Sequence, residues 1–376
     1  MSNICVVNKK TVSQNKKMRQ AQKNSRRYYQ EKIFHRANNA PKAKIRKIAN
    51  MQEIRFKKFN LSDDISENKC EYEVSKEQLI DLCKRIELTG RSGNGFLTYK
   101  KLKAFQSENG ILVINGVECD PGLVHDAWIY RNKMTDVSKG IEIIKNAFGI
   151  RRVILATKEP INSKLRLEQV KVVDRFPMGY ERSLIKYITG KEIPADKNPA
   201  ECGILVLNLQ TVLAIAEILE DEKRAIEKYI TVADISEANA FVTKVKLGDT
   251  IEDITKTIFT TSDRKGKKIY VGSGALDCHL IEAGEKVTER INYIAIGNAP
   301  DYEKAAKCKG CNACTRNCPM GVDAQKLVRL AEKDNLTKDM VDTYKAYSCI
   351  GCGACTYGCV AEKDIREVIR WAKENI

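Results

Sequence analysis

The chain has 376 residues, 43% of them hydrophobic and 30% charged, enough for two or three domains around a sizeable core and outside the fibrous and disordered classes. Its net charge of +16 would suit a nucleic-acid binder, but residues 1–60 hold 17 of the 65 Lys and Arg and only two of the 49 acids, so the remainder is nearly neutral. The most apolar run, residues 203–219, contains Asn208, Gln210 and Glu217 and is too short and too polar to span a membrane, and the polar, basic start does not read as a secretory leader.

The N-terminal arm (1–60) includes RRYYQEKIFHR and PKAKIRKIANMQEIRFKK. It reads as a solvated tail, with docking to an acidic partner or to an anionic membrane surface as the alternatives. Nucleic acid is not expected as a partner, because no binding motif accompanies the charge.

Residues 74–90 (VSKEQLIDLCKRIELTG) have the period of an amphipathic helix that ends in glycine. The loop GRSGNGF follows, with Gly90, Arg91, Gly93, Gly95 and Phe96, then Thr98 and Lys101. Closely spaced glycines permit left-handed turns and let a flat ring or a phosphate approach the backbone. Residues 111–122 (ILVINGVECDPG) read as an apolar strand breaking at Asn115 into an acidic turn that carries Glu118 and Asp120. Gly179 and Glu181 stand in FPMGYERSLIKYITG, and residues 203–219 read as a strand followed by a helix, with Asn208 and Thr211 at the junction. Taken singly, Glu118, Asp120 and Glu181 are ordinary loop acids and Asn208 is a helix cap. Residues 224–297 alternate short β-rich runs around LGDTIEDI, with the glycine-rich GSGA turn (272–275) read as structural. His279 beside Cys278 lacks the partners a metal site needs.

Eight of the 14 cysteines form two sets of identical spacing, C-x2-C-x2-C-x3-C: Cys308, Cys311, Cys314 and Cys318, then Cys349, Cys352, Cys355 and Cys359. The spacing is that of a [4Fe–4S] protein with two clusters, in which three closely spaced thiolates wrap one cube and the fourth serves the other. Cys308, Cys311, Cys314 and Cys359 are therefore expected on one cluster, and Cys349, Cys352, Cys355 and Cys318 on the second. Zinc sites rarely repeat this spacing. The stretch between the sets has helical periodicity, so this region is expected to be mainly helical.

Together these motifs resemble the C subunit of the Rnf electron-transport complex (the RnfC-like family) and, more distantly, the flavoprotein subunit that admits NADH to respiratory complex I. The electron-transfer protein associated with proline reductase follows the same plan. The family writes its flavin loop GRGGAGFPT. Gly90, Arg91, Gly93, Gly95, Phe96 and Thr98 match it, whereas Ser92, Asn94 and Leu97 depart. The resemblance implies that FMN meets these residues together with Lys101, Asn115, Glu118, Gly179, Asn208 and Thr211, and that NADH lies near Phe96, Asp120 and Glu181. It implies an α/β flavin-binding domain like that of the complex I flavoprotein (61–223), then a small β-grasp domain of the SLBB kind (224–300) and a mainly helical two-cluster ferredoxin domain (301–376). The expected function is electron transfer from NADH, or another two-electron donor, through FMN and two [4Fe–4S] clusters to a redox partner protein or reductase complex. The alternative is a non-enzymatic relay with a degenerate flavin site, serving a soluble reductase such as proline reductase. The implied location is cytoplasmic, or peripheral at the cytoplasmic face of a membrane.

Overall fold

The structure, a computed structural model, describes residues 55–56, 73–105, 109–173, 176–194, 196–297, 307–361 and 363–376. All of the basic arm except Arg55 and Phe56 lies outside the described residues. The chain divides into two compact units, one spanning residues 42–298 and the other containing the C-terminal residues from 299.

The first unit contains two sheets. The smaller has four parallel strands in the order β4 (Glu168–Lys171), β3 (Arg152–Thr157), β2 (Ile111–Gly116), β5 (Ile204–Asn208). Strands β2, β3 and β5 read ILVING, RVILAT and ILVLN, near-continuous apolar runs of the kind a parallel sheet covered on both faces requires. Helix α1 (Lys76–Arg85) starts at a capping box in which Ser75 accepts from the Gln78 amide while the Gln78 side chain accepts from the Ser75 amide. Helix α2 is Thr98–Ala104 and α3 is His125–Asn132, followed by the 15-residue helix α4, Met134–Phe148. Helix α5 (Glu181–Thr189) packs Leu184 and Ile185 against Val113, Ala156, Ile204 and Val206. Helix α6 (Leu209–Glu220) is buried along nearly its whole length. It approaches α4 so closely that a Cβ on Gly140 would collide with the Val212 carbonyl.

The helix expected over residues 74–90 stops at Arg85. Glu87 takes a left-handed conformation (φ 51°), Leu88 turns into the core, and Thr89 pairs with Leu97 to close the glycine loop. Burial of Leu88 and the Thr89–Leu97 bridge decide this boundary, and the local helical period does not register either.

The larger sheet has six strands in the order β1 (Arg55–Phe56), β7 (Asn239–Lys246), β6 (Glu227–Asp234), β10 (Tyr293–Gly297), β8 (Lys268–Gly272), β9 (Cys278–Leu280). The β6–β7 hairpin is antiparallel, while β6 and β10 run parallel at the centre. Helix α7 (Ile251–Ile258) buries Ile251 and Ile258 against Ile230, Val232, Val271 and Ile294. A hairpin, a helix across one face and a central parallel pair make a β-grasp arrangement. A short helix, α8 (Thr261–Arg264), follows α7.

The second unit is helical: α9 (Ala313–Arg316), α10 (Ala324–Glu332), α11 (Lys338–Thr343), α12 (Ala354–Gly358) and α13 (Ile365–Asn375). Leu327, Val328, Val341, Ile365, Ile369 and Trp371 form its core. Among the described residues, no helix is long and apolar enough to cross a membrane.

Candidate functional site

The four-stranded sheet changes direction beside β2. From β2 the chain moves outward through β3 to β4 and then returns to place β5 on the other side of β2. In a parallel α/β sheet such a reversal leaves a crevice beyond the carboxyl ends of the two strands at the switch, here β2 and β5, the usual ligand position. Asn115 and Asn208 are aligned partners at those two ends. Asn115 Nδ2 donates to the Gly179 carbonyl at 2.8 Å, and its Oδ1 accepts from the Val117 amide at 3.0 Å. Asn208 Oδ1 caps α6 by accepting from the Gln210 amide, and its Nδ2 donates to Asp126 Oδ2 at 2.8 Å. Lys101 Nζ reaches the same edge, donating to the Val206 carbonyl at 3.2 Å and to Glu181 Oε2 at 2.7 Å. Gly179 is required here by space, because a Cβ would collide with the carbonyls of Val117 and Glu118.

The glycine loop stands on the same unit. Gly90 donates to the Phe96 carbonyl at 2.7 Å, and Gly93 and Gly95 are left-handed, with φ of 86° and 68°. A Cβ on Gly93 would lie 3.0 Å from Asn292 Nδ2 and 3.0 Å from Ser273, so the loop rests on the β-grasp sheet. Phe96 is 37% exposed. Arg91 is only 1% exposed: its guanidinium donates to the Ala225 carbonyl, its amide donates to Thr211 Oγ1 at 2.9 Å, and its carbonyl accepts from Asn292. Burial lowers the Arg91 pKa to about 10, with Glu217 and Glu289 opposing the shift. Arg91 and Thr211 therefore brace the loop through each other.

The two acids on the turn after β2 point into the protein. Asp120 Oδ1 and Oδ2 each lie 3.1 Å from the Leu276 amide, and its Cβ side fills the space left by Gly274. The GSGA turn is thus the receptor for Asp120. Glu118 Oε1 accepts from the Asp126 and Ala127 amides at 2.8 and 3.2 Å, capping α3. Burial, then the Asp126 charge, pushes the Glu118 carboxyl well above the usual range, and burial raises Asp126 to about 7. His125, held neutral by burial at a pKa of about 3, has Nδ1 3.1 Å from Thr231 Oγ1.

The crevice offers polar groups to a ligand. Among the described residues, Thr89 Oγ1, Thr98 Oγ1 and Ser183 Oγ are buried without a hydrogen-bond partner on elements framing the crevice or its glycine loop. Such a concentration of unsatisfied donors and acceptors is what a ligand with a phosphate and hydroxyls would answer. Cys278 donates to the Ala275 carbonyl at 3.3 Å and His279 pairs with Glu285 at 2.8 Å, so these two neighbours do not converge.

In the C-terminal unit, Cys308, Cys311, Cys314 and Cys359 line one cavity and Cys318, Cys349, Cys352 and Cys355 line another. Gly310, Asn312, Gly351 and Gly353 take left-handed conformations that curl the two loops inward. The cavities are pseudo-equivalent in detail. Thr315 Oγ1 donates to Asp323 and accepts from the Gln325 amide, just as Thr356 Oγ1 donates to Asp364 and accepts from the Arg366 amide. Asp323 and Asp364 then cap α10 and α13. The Val322 amide donates to Cys318 Sγ and the Lys363 amide to Cys359 Sγ. Sequence reading missed these Thr–Asp pairs, although a threonine after the third cysteine with an aspartate eight residues on, in both sets, was a readable signal. Burial raises Cys352 to about 12 and Cys355 well above the ordinary thiol range. Thiolates persist in such a place when a metal centre replaces their protons.

Residues 83–217 match the family described as the Nuo51 FMN-binding domain, and residues 307–363 match the 4Fe-4S dicluster domain. The C subunit of the ion-translocating oxidoreductase complex from Haemophilus influenzae is 27% identical over 282 residues, covering 70% of this chain and 34% of that protein. Its counterpart from Buchnera aphidicola is 27% identical over 290 residues (72% and 57%), and that from Vibrio cholerae 26% over 281 residues (71% and 36%). The chain thus spans between about a third and just over half of the length of these relatives. In fold it resembles a chain of an NAD+-reducing [NiFe]-hydrogenase, with a TM-score of 0.54 at 14% identity over 80% of this chain and 63% of the other. The chain is a relative of the C subunits of ion-translocating oxidoreductase (Rnf) complexes, with an FMN-binding domain of the Nuo51 kind followed by a 4Fe-4S dicluster domain.

Proposed function

We propose that this chain is an electron-transfer subunit of an oxidoreductase, taking electrons from NADH or another two-electron donor at FMN and delivering them through two [4Fe–4S] clusters to a partner protein. The observation that carries this reading is one chain holding both a switch-point crevice, edged by Asn115, Asn208, Lys101 and Glu181, and two cavities of four thiols each. A flavin accepts an electron pair and can release it singly, which is what one-electron clusters require. In this reading residues 61–223 hold FMN, residues 224–300 support the glycine loop, and residues 301–376 hold the clusters.

The chain's own residues have separable roles. Gly90, Gly93 and Gly95 keep the loop backbone open to a close approach, and Arg91 with Thr211 fixes its position. Lys101 supplies the positive charge suited to the FMN phosphate or to reduced flavin. Asn115 and Gly179 hold the facing turns together, and Asn208 presents the start of α6. Phe96 and Glu181 remain accessible for a nicotinamide donor, while Glu118 and Asp120 shape the wall. Cys308, Cys311, Cys314 and Cys359 would ligate one cluster, and Cys318, Cys349, Cys352 and Cys355 the other. Assembly with a larger redox complex fits the names of the relatives, and in this reading the chain sits in the cytoplasm or at the cytoplasmic face of a membrane, with the basic arm as a contact.

The relay alternative draws support from one contact: the Lys101–Glu181 ion pair occupies two groups that a flavin and its donor would use. Anaerobic addition of NADH separates the two readings. Bleaching of flavin and cluster absorbance supports the reductase. Bleaching by dithionite alone supports the relay.

A further inference from the structure

We propose that Glu118, His125 and Asp126 form a binding site for a divalent metal ion, distinct from the iron–sulfur centres. Each offers one ligand atom, and these atoms lie within 4.8 Å of one another. Three ligands at bond lengths of about 2.0–2.2 Å around one ion stand about 3–4 Å apart, so the three side chains would close in by about 1 Å on binding.

The second observation is how the remaining atoms of the three side chains are used. Glu118 spends Oε1 on the amides at the start of α3, leaving Oε2 buried and unpartnered among the described residues. Asp126, 3% exposed, spends Oδ2 on Asn208 and leaves Oδ1 buried and equally unpartnered. His125, 1% exposed, has one ring nitrogen against Thr231 Oγ1, itself held by the Val124 amide. Each candidate ligand is therefore oriented by an outer partner, the arrangement that fixes metal ligands in place. Two buried carboxylates with oxygens that nothing in the chain answers are costly unless a cation or a shared proton compensates them. An imidazole with two carboxylates and no thiol selects a harder or borderline ion, such as Mn2+, Fe2+ or Zn2+.

The ion would tie the turn after β2 to α3 and, through Asn208, to the end of β5. Glu118 and, through Asn208, Asp126 adjoin the crevice proposed for FMN, so the test reads metal binding directly and apart from flavin content.

Mn2+ is the probe, because it favours oxygen and nitrogen over the cluster thiolates. The full chain, purified anaerobically with its clusters oxidised, is dialysed against EDTA and titrated with Mn2+, with free ion read by EPR. One saturable site per chain is expected. Glu118→Gln and Asp126→Asn should each weaken it by about tenfold or more. Asp234→Asn, which alters a buried carboxylate already paired with Lys267, should leave it unchanged. On the wild type alone, ENDOR of bound Mn2+ should show coupling to an imidazole nitrogen, which does not depend on any variant folding. His279→Gln should retain that coupling. Absence of a saturable site, binding that survives both carboxylate variants, or bound Mn2+ without nitrogen coupling would each overturn the proposal.

Discussion

Lys101 Nζ lies 2.7 Å from Glu181 Oε2, joining the first turn of α2 to the first residue of α5 across the carboxyl end of the parallel sheet. The pair is only partly exposed, so it holds a charge of each sign where a cofactor would meet the backbone. Lys101→Met should therefore release FMN. One charge-assisted hydrogen bond is worth about 1.5–3 kcal/mol, so retention should weaken by at least about tenfold. Flavin fluorescence of the filtrate after gel filtration measures the loss.

Gly179 and Gly140 fail for different reasons when a methyl group is added. Gly179→Ala drives a Cβ into the Val117 and Glu118 carbonyls. It should displace the turn after β2 and lower flavin content. Gly140→Ala forces α4 away from α6 at Val212, an overpacking cost of about 1–3 kcal/mol. It should lower the melting temperature with flavin content per folded chain unchanged. Thermal denaturation and flavin content, read together, separate the two.

The cysteines should fail crosswise. Cys359→Ser removes the fourth thiol of the cavity lined by Cys308, Cys311 and Cys314, and Cys318→Ser does the same for the cavity of Cys349, Cys352 and Cys355. Each variant should lose or distort one cluster and keep the other. EPR of the dithionite-reduced proteins should then show complementary residual signals.

Asp126 gives a pH dependence of defined sign. Burial raises its folded pKa from 3.8 to about 7, so between these values the folded chain binds more protons than the unfolded one. Stability from this group is full below about pH 4 and is lost as pH rises through 7. Relative to Asp126→Asn, the wild type in EDTA should lose stability from pH 5 to pH 8. Paired thermal melts across that window check it. A constant difference between the two proteins would refute the burial argument.

What the sequence disclosed followed the reach of each interaction. β2, β5 and α6 were legible because an apolar run and its period are local properties, and the two cysteine sets because ligand spacing is local as well. The partners of Asp120 and Arg91 were not legible. Asp120 meets the Leu276 amide 156 residues away, and Arg91, in a loop that suggests an exposed anion-binding group, is buried against Ala225. Only the packing of the β-grasp sheet beneath the glycine loop creates those contacts. The Glu118–His125–Asp126 cluster escaped for a related reason: two of its members begin a helix whose sequence, HDAWIYRN, reads locally as an ordinary polar first turn. The Thr315–Asp323 and Thr356–Asp364 pairs were visible in principle, since they repeat with the cysteines.

The central claim is that eight thiols in the C-terminal unit hold two iron–sulfur cubes fed by a flavin in the same chain. Metal and flavin analysis of anaerobically purified protein tests it most directly. The expected result is brown protein with eight irons, eight labile sulfides and one FMN per chain. Colourless protein with zinc at those thiols and no flavin would contradict it.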